Sequence, residues 1–116
     1  FNGSKTKAQT QKAKAELNQT ELAYQEYLSK SKLEIAQSKR TIKLTELKMK
    51  SNELAVKQAK ENVRIRKDRF LEGLETNSNL LTAEALLAQK ELEFLNALYA
   101  NQVANFYLNF LISNED

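Results

Sequence analysis

The sequence predicts an all-α fold, a long antiparallel coiled-coil helical hairpin in which one long helix leads through a tight tip into a shorter return helix. The 116-residue chain contains no proline and two glycines. Its abundance of Ala, Leu, Lys, Glu and Gln is typical of long helices. Apolar residues recur at seven-residue intervals along most of the chain, which is the coiled-coil pattern. Helix-ending and helix-starting signals meet in one place, between Gly73 and Asn79.

The first predicted element is the end of a β-strand or a turn over residues 1–4, with Ser4 as the N-cap of the helix that follows. The long helix is expected over residues 5–72, because no breaker interrupts that stretch. Its first part, before Leu28, carries a weaker apolar pattern. We therefore expect that part to be more exposed than the rest.

A heptad stripe runs along the remainder of the long helix. Its members are Leu28, Ile35, Ile42, Met49, Val56, Val63 and Phe70. Small or polar residues stand three positions after the first five of them: Ser31, Ser38, Thr45, Asn52 and Ala59. A strict heptad keeps its stripe against a partner only if the helices supercoil left-handedly, and small residues let the partner approach closely.

A second apolar line, through Leu33, Leu47 and Leu54, runs along another side of the same helix. Two apolar flanks suggest two neighbouring helices, as in a ring. The alternative is one wide core face of an ordinary bundle helix.

The tip is expected over residues 73–76. Gly73 is the one glycine after Ser4, and glycine takes the positive φ of a helix C-cap without steric cost. Four consecutive residues after it favour N-cap positions, since their side-chain oxygens accept hydrogen bonds from first-turn amides. They are Thr76, Asn77, Ser78 and Asn79.

The return helix is expected over residues 77–113, and residues 114–116 form a tail. Three apolar lines share heptad spacing along it. They are Leu80, Leu87 and Phe94; Ala85, Leu92, Tyr99 and Phe106; and Leu81, Ala88 and Leu95. We expect this helix to be buried over much of its circumference.

Charge is unevenly divided between the two arms. Residues 1–69 hold 17 of the 18 Lys and Arg against 8 acids, whereas residues 70–116 hold one against 7, so the arms carry +9 and −6 within the total of +3. Opposite charges favour packing of one arm on the other, although exposed ion pairs contribute only about 0.2–1 kcal/mol each. Lys and Arg alternate with Glu and Gln around the long helix and form no single stripe, which disfavours a nucleic-acid partner.

The chain contains neither Cys nor His. This excludes thiolate and imidazole chemistry, and no carboxylates or hydroxyls are grouped as a nucleophile with its base. The sequence therefore predicts that the chain is not an enzyme, with no cofactor and no metal.

Two stretches resemble a known family. Residues 69–76 read RFLEGLET and residues 80–83 read LLTA, which is similar to the tip signature R-[FY]-x-x-G-x-x-T of TolC-like outer-membrane efflux proteins. Residues 1–4, FNGS, resemble the LFNGG segment that in this family leads from the last outer-membrane β-strand into a long periplasmic helix. The order of a long helix, a tip and a shorter return helix is also that of each family repeat.

The resemblance implies that the chain is the second of two repeats in each subunit of a homo-trimer. The β-barrel of that trimer lies in the outer membrane of a Gram-negative cell and continues as a periplasmic α-helical barrel. The chain would then be periplasmic and would lack the barrel strands, the other repeat and the signal peptide. Family tips close the tunnel and dock onto a periplasmic adaptor (membrane fusion) protein, and through it to an inner-membrane pump.

The same resemblance assigns site residues. The adaptor-binding tip would comprise Glu72, Gly73, Leu74, Glu75 and Thr76. At the gate, the resemblance places Asn79 and Thr82. Arg66 and Arg69 lie in the last turns of the long helix, where the helix dipole favours cations, and this structural role is one interpretation of them. The other is that Arg66 or Arg69 forms a gate ion pair with a carboxylate of a neighbouring tip. Glu72 replaces a small apolar residue of the family signature, and Asn79 and Thr82 stand where the best-known members carry acids. A neutral gate would lack their charge selectivity.

Two other interpretations remain open. A structural or binding coiled-coil hairpin, such as the adaptor's own, has the same pattern, but an adaptor would show Gly- and Val-rich β segments beside the hairpin, and the chain has none. A basic coiled coil for nucleic acid would instead bind DNA with a steep dependence on salt.

Overall fold

The computed structural model describes residues 2–114, and within them the chain is helical apart from one turn and the C-cap residue Asn114. Helix α1 spans Asn2–Leu71 and helix α2 spans Asn77–Ser113. Residues 72–76 form the turn between them. No β-strand occurs in the described residues, so the all-α prediction is confirmed. The chain divides into two compact units, residues 1–37 and 38–116.

The start of α1 differs from the prediction. Asn2, Gly3 and Ser4 are helical rather than part of a strand or turn, and Ser4 is an internal residue of the helix rather than its N-cap. The Thr6 hydroxyl donates to the Asn2 carbonyl at 2.8 Å, a bond back to the preceding helical turn. Nothing in this segment forbids a helix, since a glycine inside one costs only about 0.5–1 kcal/mol relative to Ala. The predicted role of Phe1 lies outside the described residues.

The first unit consists of a single stretch of α1. Every residue from position 2 to position 27 is exposed, as the weak pattern before Leu28 predicts. Three threonine hydroxyls in this stretch donate to carbonyls one turn earlier, among them Thr10 to Thr6 at 2.9 Å. The helix here depends on the intrinsic preference of its residues and on local bonds.

In the second unit the two helices form a hairpin-like arrangement and meet along a seam of buried and half-buried residues. On α1 the seam comprises Ser38, Ile42, Thr45, Met49, Asn52, Val56, Ala59, Val63 and Arg66. On α2 it comprises Leu80, Ala83, Leu87, Lys90, Phe94, Ala97, Asn101, Ala104, Leu108 and Leu111. Successive members are alternately three and four residues apart, so the heptad prediction is confirmed from Ile42 to Val63. The predicted stripe member Phe70 is 38 % exposed and lies outside the seam.

Small residues are the most buried part of the seam. Ala83 and Ala97 are each 4 % exposed, and Ser38, Ala59 and Ala104 are at most 8 % exposed. Small side chains allow two helices to approach closely, so that large residues of one helix lie beside small ones of the other. Of the large apolar seam members, Leu80 is buried at 8 % exposed, and the others stay half-buried.

One polar pair crosses the seam well away from the tip. The side-chain amide of Asn101 donates to the Thr45 hydroxyl oxygen at 3.0 Å, and that hydroxyl donates to the Ile42 carbonyl at 2.9 Å. Both polar groups are thus satisfied in a half-buried position. The bond joins one specific residue of α1 to one of α2.

The expected burial of α2 over much of its circumference is wrong for this chain. Only the line through Leu80, Leu87 and Phe94 lies in the seam, because α1 covers a single side of α2. The other two lines are exposed, with Tyr99 at 69 % and Phe106 at 76 %. On α1, the second apolar line is exposed as well: Leu33, Leu47 and Leu54.

The seam divides the surface of α1 into two edges of different charge. Because a helix turns by about 100° per residue, residues that follow seam members lie on one edge and residues that precede them lie on the other. Nine residues follow the α1 seam members: Lys39, Lys43, Glu46, Lys50, Glu53, Lys57, Lys60, Arg64 and Lys67. We call this the basic edge.

Between residues 39 and 67, the Lys and Arg of α1 are thus more one-sided than their alternation with Glu and Gln along the sequence suggests, although Glu46 and Glu53 lie among them. Among the nine residues that precede the α1 seam members, Lys48 is the one with a charge. On the basic-edge side of α2, however, two acids follow seam members, Glu84 and Glu91. That side of the hairpin consequently carries mixed charge.

The opposite edge contains two clefts in residues 38–116. One, of about 380 Å³, is lined by Thr45, Lys48, Asn52, Glu93, Asn96, Ala97 and Ala100. The other, of about 280 Å³, lies nearer the tip and is lined by Asn62, Arg66, Asn79, Thr82, Ala83 and Leu86. Apart from seam members, the lining residues of both clefts precede seam members. We call this the cleft edge.

Candidate functional site: the hairpin tip

Helix α1 ends in a Schellman motif centred on Gly73. The Leu74 amide donates to the Arg69 carbonyl at 2.8 Å, and the Gly73 amide donates to the Phe70 carbonyl at 3.0 Å. These bonds satisfy carbonyls that would otherwise lack partners at the helix end. Gly73 has φ of 77°, which confirms the predicted positive φ, and a β-carbon at Gly73 would meet no atom within 4 Å beyond its chain neighbours.

Helix α2 is capped at its N-terminus by Thr76, one of the predicted N-cap candidates. Its backbone is extended (φ −79°, ψ 150°), and its hydroxyl oxygen accepts from the Asn79 amide at 3.1 Å. The Leu80 amide then bonds to the Thr76 carbonyl, which starts the helical ladder. Two capping motifs thus enclose a loop of a few residues, and this gives the tip a defined backbone.

The side chain of Glu75 ties the two helix ends together. One carboxylate oxygen accepts from the Arg66 guanidinium at 2.9 Å, and the other accepts from the Asn79 side-chain amide at 2.7 Å. The Arg69 Nε lies 3.8 Å from the same carboxylate. The Glu75 side chain is only 10 % exposed, compared with 39 % for Arg66 and 54 % for Arg69. Within residues 2–114, the ion pairs that join the two arms both end on Glu75.

The surroundings of Glu75 stabilise its charged form. The hydrogen bond from Asn79 is the largest cause that lowers the pKa of this carboxyl from its ordinary 4.5, and desolvation opposes it. The Thr76 backbone and the charges of Arg66 and Arg69 lower the pKa further. Glu75 is therefore an anchored anion rather than a group poised to exchange protons near neutral pH.

The five predicted docking residues divide into two groups. Glu72 and Leu74 project into solvent, and Leu74 is 62 % exposed. The other three shape the turn itself: Gly73 by its positive φ, Glu75 by its ion pair with Arg66, and Thr76 by capping α2. The tip thus presents an apolar side chain on a backbone held by hydrogen bonds and an ion pair.

Three of the four predicted gate residues converge. Arg66, Asn79 and Thr82 line the tip-proximal cleft of the cleft edge, whereas Arg69 is absent from that lining. The Thr82 hydroxyl donates to the Ser78 carbonyl at 2.9 Å. Arg66, expected to bridge to a neighbouring tip or to stabilise a helix end, bonds in this chain to the carboxylate of its own tip.

Sequence reasoning missed two tip residues. Leu71, the last residue of α1, is 74 % exposed next to the turn that carries Leu74. Asn62 accepts from the Arg66 Nε at 3.2 Å and lines the cleft with it. The spacing of Asn62 and Arg66, one helical turn apart, is a signal for their contact. Leu71 could have been assigned to the tip from its position two residues before the turn glycine, Gly73.

The tip combines an exposed apolar side chain, Leu74, with a carboxylate that is already hydrogen-bonded, Glu75. In residues 2–114 no cluster of three metal-ligating side chains occurs, and the carboxylate of Glu75 is engaged by its partners. No helical stretch of the described chain has the length and apolarity that crossing a membrane requires. Comparison with protein-family models, with curated proteins and with solved structures finds no match to this chain.

Proposed function

We propose that this chain is a periplasmic tunnel segment of a trimeric, TolC-like outer-membrane channel for efflux or secretion. Its tip docks onto a periplasmic adaptor protein and takes part in gating the tunnel. The tip carries the proposal, because it combines a residue order similar to the family signature with a geometry suited to docking. Leu71 and Leu74 protrude from a turn that the Gly73 backbone and the Glu75 ion pair hold in place.

An antiparallel coiled coil is the natural extension of the observed contacts. Arg66 meets Glu75 next to the turn, while Thr45 meets Asn101 far from it. Residues near the turn on one arm contact residues near the turn on the other, and distant residues contact distant ones, as in antiparallel helices. The alternating three- and four-residue spacing of the seam is that of a coiled coil. The supercoil and its place in a helical barrel belong to the proposal.

Exposed apolar faces support assembly with further helices. On α2 the face opposite the seam carries Leu92, Tyr99 and Phe106, each at least 59 % exposed, and on α1 it carries Leu47 and Leu54. Monomeric proteins rarely leave such extended apolar surface in water. In the proposed tunnel, these faces are covered by neighbouring hairpins of the same trimer.

Gating would use the tip-proximal cleft. Arg66, Asn79 and Thr82 border it, and the Arg66–Glu75 pair joins one arm to the other beside it. Small shifts of packed helices are a known type of switching transition. We expect opening to involve such a shift at the seam, with Asn79 and Thr82 moving relative to the copies of themselves in the trimer.

Site-directed cross-linking tests the docking tip. Leu74→Cys is introduced into the full-length protein that contains this chain, which is expressed with its candidate adaptors. Leu17→Cys is the matched control, since Leu17 is an equally exposed leucine of α1 at 66 %. Capture of an adaptor hairpin at position 74 but not at position 17 supports the proposal.

Two results would contradict it. Equal capture at both positions would mean contact without a specific tip, and no capture at either, with the protein folded in the outer membrane, would leave residues 72–76 as a turn alone. The second result would favour a structural or binding coiled-coil hairpin instead.

A further inference from the structure

The two edges of the hairpin differ in charge, and this difference decides which of them can line a conduit. If the apolar faces opposite the seam are covered by neighbouring hairpins, each hairpin keeps two free edges, one facing the interior of the ring and one facing outward. The cleft edge and the basic edge are those two surfaces. The argument rests on the proposed function, because it presupposes a closed ring of hairpins.

The basic edge is unsuited to the interior. Seven of its nine α1 residues are Lys or Arg, and four of these, Lys43, Lys50, Lys57 and Arg64, recur every seven residues. Four acids lie on the same side, Glu46 and Glu53 on α1 and Glu84 and Glu91 on α2, so the cations remain in excess. A rotationally symmetric ring would bring every copy of such a line around one axis. Like charges that face each other across a narrow space repel, whereas on the outside they are separated and screened within about 10 Å by salt.

The cleft edge has the opposite character. Besides small residues and Leu86, the lining of its two clefts consists of amide and hydroxyl side chains with one cation and one anion outside the tip, Lys48 and Glu93. Between and beyond the clefts the edge also carries exposed apolar residues: Leu44, Ile65, Val103, Tyr107 and Phe110. Lys90 donates to the Glu93 carboxylate at 3.3 Å, so the acid is itself paired. Amides and hydroxyls present both hydrogen-bond donors and acceptors. A surface that is polar at its clefts and has no dominant charge can border water and polar or amphipathic solutes of either sign.

Geometry points the same way. The two clefts lie along one edge, and alanines line both of them, namely Ala83 in one and Ala97 with Ala100 in the other. The tip-proximal cleft is also bordered by Asn79 and Thr82, two of the candidate gate residues. An interior edge would therefore run continuously from the gate to the shaft.

We propose that the cleft edge, marked by Asn62, Asn79, Thr82, Asn96 and Lys48, lines the interior of the conduit, and that the basic edge faces outward. The interior contributed by this chain then discriminates little between cations and anions. Its cargo is a polar or amphipathic solute that hydrogen-bonds to amides, rather than an ion chosen by its charge.

Two asparagines of α2 provide a matched test. Asn96 precedes the seam residue Ala97 on the cleft edge, and Asn109 follows the seam residue Leu108 on the other edge, and both are exposed. Each is replaced by Cys in the full-length protein, which is reconstituted in a planar lipid bilayer. Single-channel conductance and the cation-to-anion permeability ratio are measured before and after a methanethiosulfonate reagent attaches a sulfonate.

Modification of the Asn96→Cys protein should lower the conductance and shift the permeability ratio toward cations. Modification of the Asn109→Cys protein, verified by mass spectrometry, should change neither quantity. Three results would overturn the assignment of the edges. They are an effect at position 109 but not at 96, a modification at position 96 that changes neither quantity, and a thiol at position 96 that the reagent cannot reach.

The outcomes separate this inference from the proposed function. A protein that conducts and whose Leu74→Cys variant captures an adaptor, but whose modification at position 96 is silent, overturns the edge assignment alone. A protein that forms no channel and captures no adaptor overturns both.

Discussion

Residues 2–27 and residues 38–71 belong to the same helix, yet different forces hold them. In the first stretch every residue is exposed, and the helix relies on intrinsic propensity and local hydrogen bonds. In the second, residues three and four apart are buried against α2 from Ser38 to Arg66. Isolated helices are marginally stable in water, and most helical stability in proteins comes from packing of one face. Helicity alone therefore does not identify the part of α1 that is stabilised by packing.

A charge placed in the seam should destabilise the packed stretch far more than a charge placed in the exposed stretch. Ala59, 6 % exposed and absent from the lining of both clefts, is replaced by Glu, and the exposed Ala13 is replaced by Glu as control. A buried charge without a partner costs about 3–5 kcal/mol, so Ala59→Glu should open the hairpin while Ala13→Glu leaves it intact. Hydrogen exchange resolved along the chain measures both effects. Equal loss of protection in the two variants would contradict the seam as described.

Replacing each of the two glycines by alanine should change stability in opposite directions in the two regions. Gly73→Ala forces a β-carbon into a positive-φ position and should destabilise the hairpin by about 1–2 kcal/mol, although no neighbouring atom obstructs it. Gly3→Ala replaces a helical glycine that has open space and should stabilise the first turns by about 0.5–1 kcal/mol. Urea denaturation followed by circular dichroism reports the first effect, and amide exchange near position 3 reports the second. Two changes of the same sign would refute the assigned backbone conformations.

The polar pair in the seam tests whether one bond contributes to the register of the arms. Asn101→Ala removes the donor to Thr45, and the expected loss is about 0.5–1.5 kcal/mol. A double-mutant cycle with Thr45→Ala should give a coupling free energy of the same sign, measured by urea denaturation. As a control, Asn109→Ala on the exposed surface should change stability little. Additive effects of the two seam substitutions would mean that the bond contributes nothing.

Acid should loosen the tip before it affects the exposed stretch. The folded-state pKa of Glu75 is lowered from 4.5, so its contribution to stability is fully present above that value and is lost as pH falls through the lowered pKa. Exchange protection of the Asn79 and Leu80 amides, corrected for intrinsic rates, should therefore decrease below about pH 4.5. The Glu75→Gln variant should show a smaller decrease. An unchanged pH profile in that variant would assign the effect to other carboxyls.

Much of the fold follows from residue type and spacing. The heptad positions from Ile42 to Val63 face α2, Gly73 adopts the positive φ it was predicted to have, and Thr76 caps the helix that follows. Each of these features is decided by residues close in sequence. Local rules are therefore sufficient for them.

The remaining features depend on contacts that spacing does not encode. Lys90 occupies a seam position, where its four-carbon stem lies against the helix interface and its ammonium reaches Glu93, an arrangement open to long basic side chains. Glu75 binds Arg66, nine positions earlier across the turn. Tyr99 and Phe106 are apolar and heptad-spaced yet exposed, because spacing indicates a face but not what covers it.

The spacing of the seam also governs how the length of such a hairpin can change during evolution. Deleting seven residues from one arm alone, between the turn and Thr45, would separate Thr45 from Asn101 and misalign every seam layer beyond the deletion. Deleting seven from each arm at the same level would keep that bond and the Arg66–Glu75 pair, and would shorten the hairpin by about 10.5 Å. Related hairpins should therefore differ in length by matched heptads, one in each arm, while their turns stay alike.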